Sequence, residues 1–305
     1  LELVDARWLN KSSLWQLART GARVTKGIFE ASHVMRKFKP DVIVGTGGYV
    51  CFPVILAGKL YGAKTFLHEQ NAYPGLANRT LEKYVDKVFL GFADAARYFK
   101  QPQKMVEAGN PVRKSFFTLS KAEARKKLGL EQIDTILVLS GGAGLGHLEE
   151  SVQDLGQIAQ QCQIVVVCGS NKRLKAKLEE FAKPYPLMKI LGYTNNLDEY
   201  MDAADIVYTK PGGLTSTETL TKDKPLVLMD PLPGVESWNQ VYFANHSLAC
   251  ITNDFFTGSA VVGLLLKDKS RQEEMAAARA RLVKHNSAKA LGDFALELAE
   301  KNRKI

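Results

Sequence analysis

Thr135-Ile-Leu-Val-Leu139 runs into Ser140-Gly141-Gly142-Ala143-Gly144-Leu145-Gly146, and Ile206-Val-Tyr-Thr209 runs into Lys210-Pro211-Gly212-Gly213-Leu214-Thr215-Ser216-Thr217-Glu218. These two stretches decide the fold class. In each, a short aliphatic or β-branched run stops at a glycine cluster, and a helical pattern follows, Leu148–Gln161 after the first and Thr215–Lys222 after the second. Units of this kind belong to parallel sheets with helices on their faces. The same punctuation recurs along the chain. Val44 leads into Gly45-Thr46-Gly47-Gly48-Tyr49, Leu67 into His68-Glu69-Gln70-Asn71, Cys168 into Gly169-Ser170-Asn171, and Met229 into Asp230-Pro231.

Ten strands are expected: Asp41–Val44, Lys64–Leu67, Lys87–Leu90, Lys104–Glu107, Thr135–Leu139, Ile164–Cys168, Met188–Leu191, Ile206–Thr209, Leu226–Met229 and Ala249–Thr252. Helices Lys172–Lys183 and Arg271–His285 fill further gaps. Gly109-Asn110-Pro111-Val112-Arg113, followed by Ser120-Lys121-Ala122-Glu123, reads as the end of one unit, a connector and a newly capped helix. The fold class is therefore α/β. Two doubly wound, Rossmann-like domains are expected, 1–115 and 116–305, with a last helix, Ala288–Asn302, returning to the first. Parallel sheets bind ligands beyond the carboxyl ends of their strands. A cleft between two such edges would hold two substrates.

Composition fits this reading. The chain has 305 residues, 46% hydrophobic and 24% charged, enough to bury two ordinary cores. Its longest apolar runs, such as Val261–Leu266, fall far below the ~18 residues of a membrane span. No secretory leader is expected at its start. Cys51, Cys162, Cys168 and Cys250 show neither CxxC pairing nor metal-ligand spacing, so they read as reduced core thiols of a cytoplasmic protein. The net charge of +9 is uneven: Arg7, Lys11, Arg19, Arg23 and Lys26 lie between Ala6 and Phe29 with no acid, beside Trp8 and Trp15. Basic residues interleaved with aromatics suit an anionic membrane surface, and equally a solvated helix packed on its domain. No nucleic-acid motif accompanies the charge.

The glycine turn at 140–146 is either a tight turn or a cradle whose N–H groups stabilise a diphosphate. It is neither a Walker loop nor a spaced GxGxxG. In the second turn Thr215 and Glu218 have capping-box spacing, which needs no ligand. Two such turns in one domain, with Lys210 beside the second, favour a nucleotide diphosphate. His68, Glu69, Gln70 and Asn71 form a polar cluster suited to a hydroxylated substrate. No Asp-x-Asp, GxSxG, HExxH or paired-cysteine site occurs, so no metal and no cofactor are expected.

Three long motifs carry a resemblance. Pro40-Asp-Val-Ile-Val-Gly-Thr-Gly-Gly-Tyr-Val50, His68-Glu-Gln-Asn-Ala-Tyr-Pro-Gly-Leu-Ala-Asn78-Arg79 and Gly109-Asn-Pro-Val-Arg113 resemble the first-domain motifs of the MurG family. The second half, with Pro231-Leu-Pro-Gly-Val-Glu236, resembles the related glycosyl-diacylglycerol synthases. Both relatives imply the GT-B fold and a metal-independent inverting reaction. The MurG resemblance implies transfer of N-acetylglucosamine from UDP-GlcNAc to a lipid-linked muramoyl pentapeptide at the cytoplasmic membrane face, with the protein peripheral. The alternatives are glycosyl transfer to diacylglycerol, or a non-catalytic UDP-sugar-binding module.

By position, the resemblance implies Thr46, Gly47, Gly48 and Tyr49 at the acceptor pyrophosphate, with Asn78 near the transfer centre and Arg113 at the connector. It implies Gly141, Gly142 and Gly144 at the donor diphosphate and Tyr193 and Thr194 at the uracil. Leu214, Thr215 and Glu218 would hold the diphosphate and ribose, and Glu236 and Asn239 the ribose or sugar. The family's His-Gln donor-sugar pair is here Val235-Glu236. The family also opens with a strand and a glycine-rich loop ending in histidine, its usual general base. Here the pattern is joined after that loop, so Glu69 and His68, with Asn71, are the remaining catalytic candidates, and little turnover is expected of residues 1–305 alone.

Overall fold

The computed structural model describes residues 14–113, 119–141 and 147–303, with side chains described in 24–113, 119–141 and 147–301. Arg7, Trp8, Lys11, Gly142 and Gly144, and the side chains of Trp15, Arg19 and Arg23, lie outside the described residues. The chain divides into two units, residues 1–111 with 286–305, and residues 112–285. The break falls at Pro111 rather than at residue 115, and the last helix belongs with the first unit.

The first unit opens with helix α1 (Leu14–Phe38), which carries Arg36 and Lys37 in its last turn, where a cation meets the negative end of the helix dipole. It stops because Lys39 turns to positive φ, 47°, and Pro40 cannot continue the helical ladder. Strands β1 (Val42–Gly45), β2 (Lys64–Glu69), β3 (Lys87–Leu90) and β4 (Met105–Glu107) follow, with helices α2 (Cys51–Leu60) and α3 (Leu76–Leu81) between the first three. All pairings are parallel, in the order β1-β2-β3-β4. β2 is buried from Thr65 to Glu69, on both faces, as central parallel strands are, with Phe66 and Leu67 at its middle and a polar end.

Successive residues of β2 serve opposite faces. Leu67 packs with Ile55, Leu81 and Leu90 under α1 and α2. Phe66 and Phe89 face the other way, toward α12 (Ser287–Arg303), which supplies Leu291, Phe294 and Leu298. Phe294 meets Phe89 and Phe66 edge-on, with ring centroids 4.7 and 5.8 Å apart. That aromatic contact is what makes the last helix part of the first unit.

The second unit begins with α4 (Lys121–Leu128), started by a full capping box between Ser120 and Glu123 and ended by Gly129 in the left-handed conformation. Its six strands are β5 (Thr135–Leu139), β6 (Gln163–Val167), β7 (Met188–Leu191), β8 (Ile206–Thr209), β9 (Leu226–Leu228) and β10 (Cys250–Ile251). They pair in parallel in the order β10-β9-β8-β5-β6-β7. Helices α5 (Leu148–Leu155), α6 (Lys172–Ala182), α7 (Leu197–Ala203), α8 (Gly213–Thr221), α9 (Val235–Asn245), α10 (Gly258–Lys267) and α11 (Lys269–Leu282) complete it.

Three expected helices differ, one of them α11, which runs over Lys269–Leu282 rather than Arg271–His285. The one expected over 148–161 ends at Leu155 and tightens into a 3-10 turn at Gly156–Ile158, where glycine weakens helical propagation. The one expected from Thr215 begins two residues earlier, capped by the Gly212 backbone without a side-chain bond. Thr215 is therefore inside the first turn, and the capping box with Glu218 does not form. Of the four free cysteines, Cys162 and Cys168 are core residues, whereas Cys51 and Cys250 are only half-buried.

Candidate functional site

In the second unit the chain moves outward from β5 in one direction through β6 and β7, then returns to the other side of β5 for β8, β9 and β10. Strand order therefore reverses between β5 and β8. A crevice opens at the carboxyl ends of strands at such a reversal, because the two connecting helices leave on opposite faces. The loops that leave β5 and β8 here are the two glycine turns. Gly141 has φ 78°, and a Cβ placed on it would come 3.2 Å from Lys210 Cε, so the two turns touch. Ser140, Thr209 and Ser216 bury their hydroxyls there with no partner among the described residues. Buried hydroxyls without partners are costly, so three at one strand-end crevice mark a place where polar groups await a ligand or water.

Lys210 is not an isolated cation. Its Nζ donates to Glu236 Oε1 at 2.6 Å, and Glu236 Oε2 accepts from Leu232 N at 3.1 Å. The two residues assigned by sequence to different parts of a nucleotide sugar are thus one ion pair. Asn239 is fully buried and donates from Nδ2 to Pro211 O, fastening α9 to the second glycine turn. Leu214 is exposed at the start of α8, and Thr215 is half-buried behind it.

Glu218, one turn further along α8, is half-buried, and burial pushes its carboxyl up from the usual range. Arg113 works in the opposite direction by attraction, and Asp198 adds to the rise. Tyr193 stands 70% exposed beyond β7, two strands from β5, or about 10 Å at ~4.8 Å per strand. Beside it Thr194 and Asn196 hydrogen-bond through their side chains.

In the first unit the candidates gather at the carboxyl ends of β1 and β2. Gly47 and Gly48 have φ of 89° and 79°, a left-handed pair that only glycine adopts without strain. Thr46 and Tyr49 flank them, both exposed. Cys51, at the start of α2, donates its thiol to Gly47 O, and burial raises its pKa. A Cβ on Gly47 would lie 3.4 Å from Asn78 Nδ2, so the turn rests directly on that amide.

Glu69 is 1% exposed at the end of β2. Its Oε1 accepts from Asn71 N and Asn71 Nδ2, both at 3.0 Å, and its Oε2 from Gly75 N at 3.0 Å and Asn78 Nδ2 at 2.8 Å. His68 is 4% exposed and bonds through Nε2 to Gly109 O at 3.0 Å, while burial lowers its pKa. Asn110 Nδ2 donates to Gln70 O from the same turn. Sequence reasoning missed this strap, although Gly109-Asn110-Pro111 was visible as a connector. Among the described residues no group of His, Cys, Asp or Glu side chains could hold a metal ion.

Comparison with known proteins adds a lineage. Residues 1–90 match the model of the glycosyltransferase family 28 N-terminal domain, and residues 135–291 that of the family's C-terminal domain. A UDP-N-acetylglucosamine--N-acetylmuramyl-(pentapeptide) pyrophosphoryl-undecaprenol N-acetylglucosamine transferase of Alkaliphilus oremlandii is 31% identical over 249 residues, 80% of this chain and 68% of that relative. The protein of the same name from Alkaliphilus metalliredigens is 31% identical over 289 residues, 91% of this chain and 79% of that relative. Among solved structures, MurG of Acinetobacter baumannii superposes with a TM-score of 0.67 at 22% identity, over 91% of this chain and 79% of that one. That last likeness is one of fold, and it gives both units the GT-B class.

Proposed function

Because this chain belongs to glycosyltransferase family 28, we propose that it moves N-acetylglucosamine from UDP-N-acetylglucosamine to N-acetylmuramyl-(pentapeptide) pyrophosphoryl-undecaprenol, the reaction in its relatives' names. The observation that carries the donor half is the strand-order reversal between β5 and β8, with both glycine turns at it.

In this reading the diphosphate lies over Gly141, Gly142 and Gly144 and the start of α8, whose first N–H groups have no intrahelical acceptor. Glu218 accepts the ribose hydroxyls, and Leu214 and Thr215 line the approach. The exposed ring of Tyr193 and the neighbouring Thr194 take the uracil, two strands from the β5 turn. Lys210 meets the charge that develops on departing UDP, held in place by Glu236, and Asn239 fixes the turn beneath it. The first unit takes the acceptor: its pyrophosphate on Thr46, Gly47, Gly48 and Tyr49, and its sugar beside the loop of Asn71 and Asn78. Arg113 acts from the connector on Glu218.

A polyprenyl carrier stays in the bilayer, so the transfer occurs at a membrane surface, on the cytoplasmic side where UDP-sugars are made. No helix is long and apolar enough to cross a membrane among the described residues. The basic, aromatic stretch 6–29 holds the protein to anionic lipid. Phe29, 73% exposed beside Lys26, is its described end and suits that role.

The test offers the chain labelled UDP-N-acetylglucosamine or UDP-glucose, each with an undecaprenyl-linked muramoyl pentapeptide or diacylglycerol. Labelled lipid from the first donor with the first acceptor is expected, at low turnover. Binding of UDP-sugar without release of UDP in any combination refutes transfer, and a glucosylated diacylglycerol refutes the substrates.

A further inference from the structure

The carboxyl ends of β1 and β2 hold a carboxylate in the position where sequence reasoning seeks a proton acceptor. An ionised carboxylate offers about four lone-pair sites. In Glu69 all four are used: Asn71 N and Nδ2 on Oε1, and Gly75 N and Asn78 Nδ2 on Oε2. With the residue 1% exposed, no oxygen is left for a substrate hydroxyl. We infer that Glu69 is a positioning residue, not the general base: its carboxylate shapes the 70–78 loop and, through Asn78, sets the height of the Gly47-Gly48 turn that receives the acceptor. The inference rests on the transfer reading above for the identity of that acceptor.

The geometry supplies the linkage. Asn78 is 1% exposed and also donates from Nδ2 to His68 O at 3.3 Å, which fixes the orientation of its amide. That amide lies against Gly47, where even a methyl group would touch it at 3.4 Å. A shift of Asn78 therefore moves the turn at the end of β1. On the other side, Asn71 is held by two of the four bonds, at the surface and half-buried. One carboxylate thus orients two loops that arise from adjacent strands. Each of its bonds comes from a nitrogen donor. A neutral glutamine would set an NH2 group against two of those donors.

Glu69→Gln in the full chain separates the two roles. As a positioning residue, its loss raises the acceptor KM by about tenfold or more, weakens acceptor binding without donor, and leaves the midpoint of the low-pH limb of kcat/KM in place. The amides of Asn71 and Gly75 exchange faster with solvent, and UDP affinity, a property of the second unit, is unchanged. The double variant with Asn78→Ala does little more harm than Glu69→Gln alone, since both act through one network. A fall in kcat of roughly 10²–10⁴ at constant KM, with the low-pH limb abolished, identifies a base and overturns the inference. Additive losses in the double variant overturn it too. If Glu69→Gln does not fold, Asn78→Ala carries the same test, its acceptor KM rising with the pH limb unmoved. If the wild-type chain binds UDP but transfers nothing, the transfer reading fails, and acceptor titration of the two variants still decides the role of Glu69.

Discussion

Replacing Glu218 with alanine should weaken UDP binding without weakening the fold. Its carboxyl is pushed above the usual range chiefly by burial, so the folded chain without ligand holds the ionised form at a cost. The sign follows from linkage. A raised folded pKa means that this group's stabilisation is complete below the unfolded value of about 4.3, and is lost as pH rises through the folded value. At pH 7.5 the ionised side chain is therefore a burden on the empty protein, and alanine should leave the melting temperature unchanged or slightly higher. Once ribose hydroxyls are present the balance reverses, because a charged acceptor gains two donors. Losing such hydrogen bonds costs about 1–3 kcal/mol, or roughly 5- to 150-fold in Kd. Arg113 is exposed, so leaving it without Glu218 adds little. Isothermal titration with UDP measures the affinity and calorimetric melting the stability. Affinity should also fall in the wild type as pH drops through the raised pKa, and Arg113→Ala should move that fall to higher pH. Unchanged UDP affinity in Glu218→Ala refutes the assignment, and a matched loss of affinity and melting temperature reduces Glu218 to a packing residue.

Lys222 and Asp202 form a buried pair, 3% and 8% exposed, with both carboxylate oxygens 2.6 Å from Nζ. Lys222→Met strands the carboxylate and should lower unfolding free energy by about 3–5 kcal/mol in urea titration, whereas Lys222→Met with Asp202→Asn should recover part of it. UDP-sugar affinity should be the same with and without EDTA, because helix starts and Lys210 meet the diphosphate in the proposed site; a chelator-sensitive Kd would contradict this. Co-sedimentation with liposomes should require anionic lipid and decline as salt rises. Binding indifferent to both would leave stretch 6–29 as a helix packed on its own unit.

The ten strands were legible in the sequence because each is a short run, mostly aliphatic, bounded by polar or glycine signals and too short for a helix. The glycine turns were legible for the same local reason: positive φ at Gly47, Gly48 and Gly141 requires that residue. So was the Ser120–Glu123 cap, whose partners are three residues apart. Strand order was not legible. Nothing local says that β8 returns to lie beside β5, yet that neighbourhood is what joins the two glycine turns into one crevice. Nor could spacing reveal that Lys210 and Glu236, 26 residues apart, neutralise one another. Glu69 illustrates the limit best. Its donors lie only two, six and nine residues ahead, within sight in the sequence, but four nitrogens converge on one carboxylate only because β2 ends, the loop folds back at Gly75 and α3 begins beneath Gly47. Periodicity and turn chemistry act along the chain and can be read there; which lone pair is occupied depends on groups brought together in space by packing, and only the tertiary structure decides it.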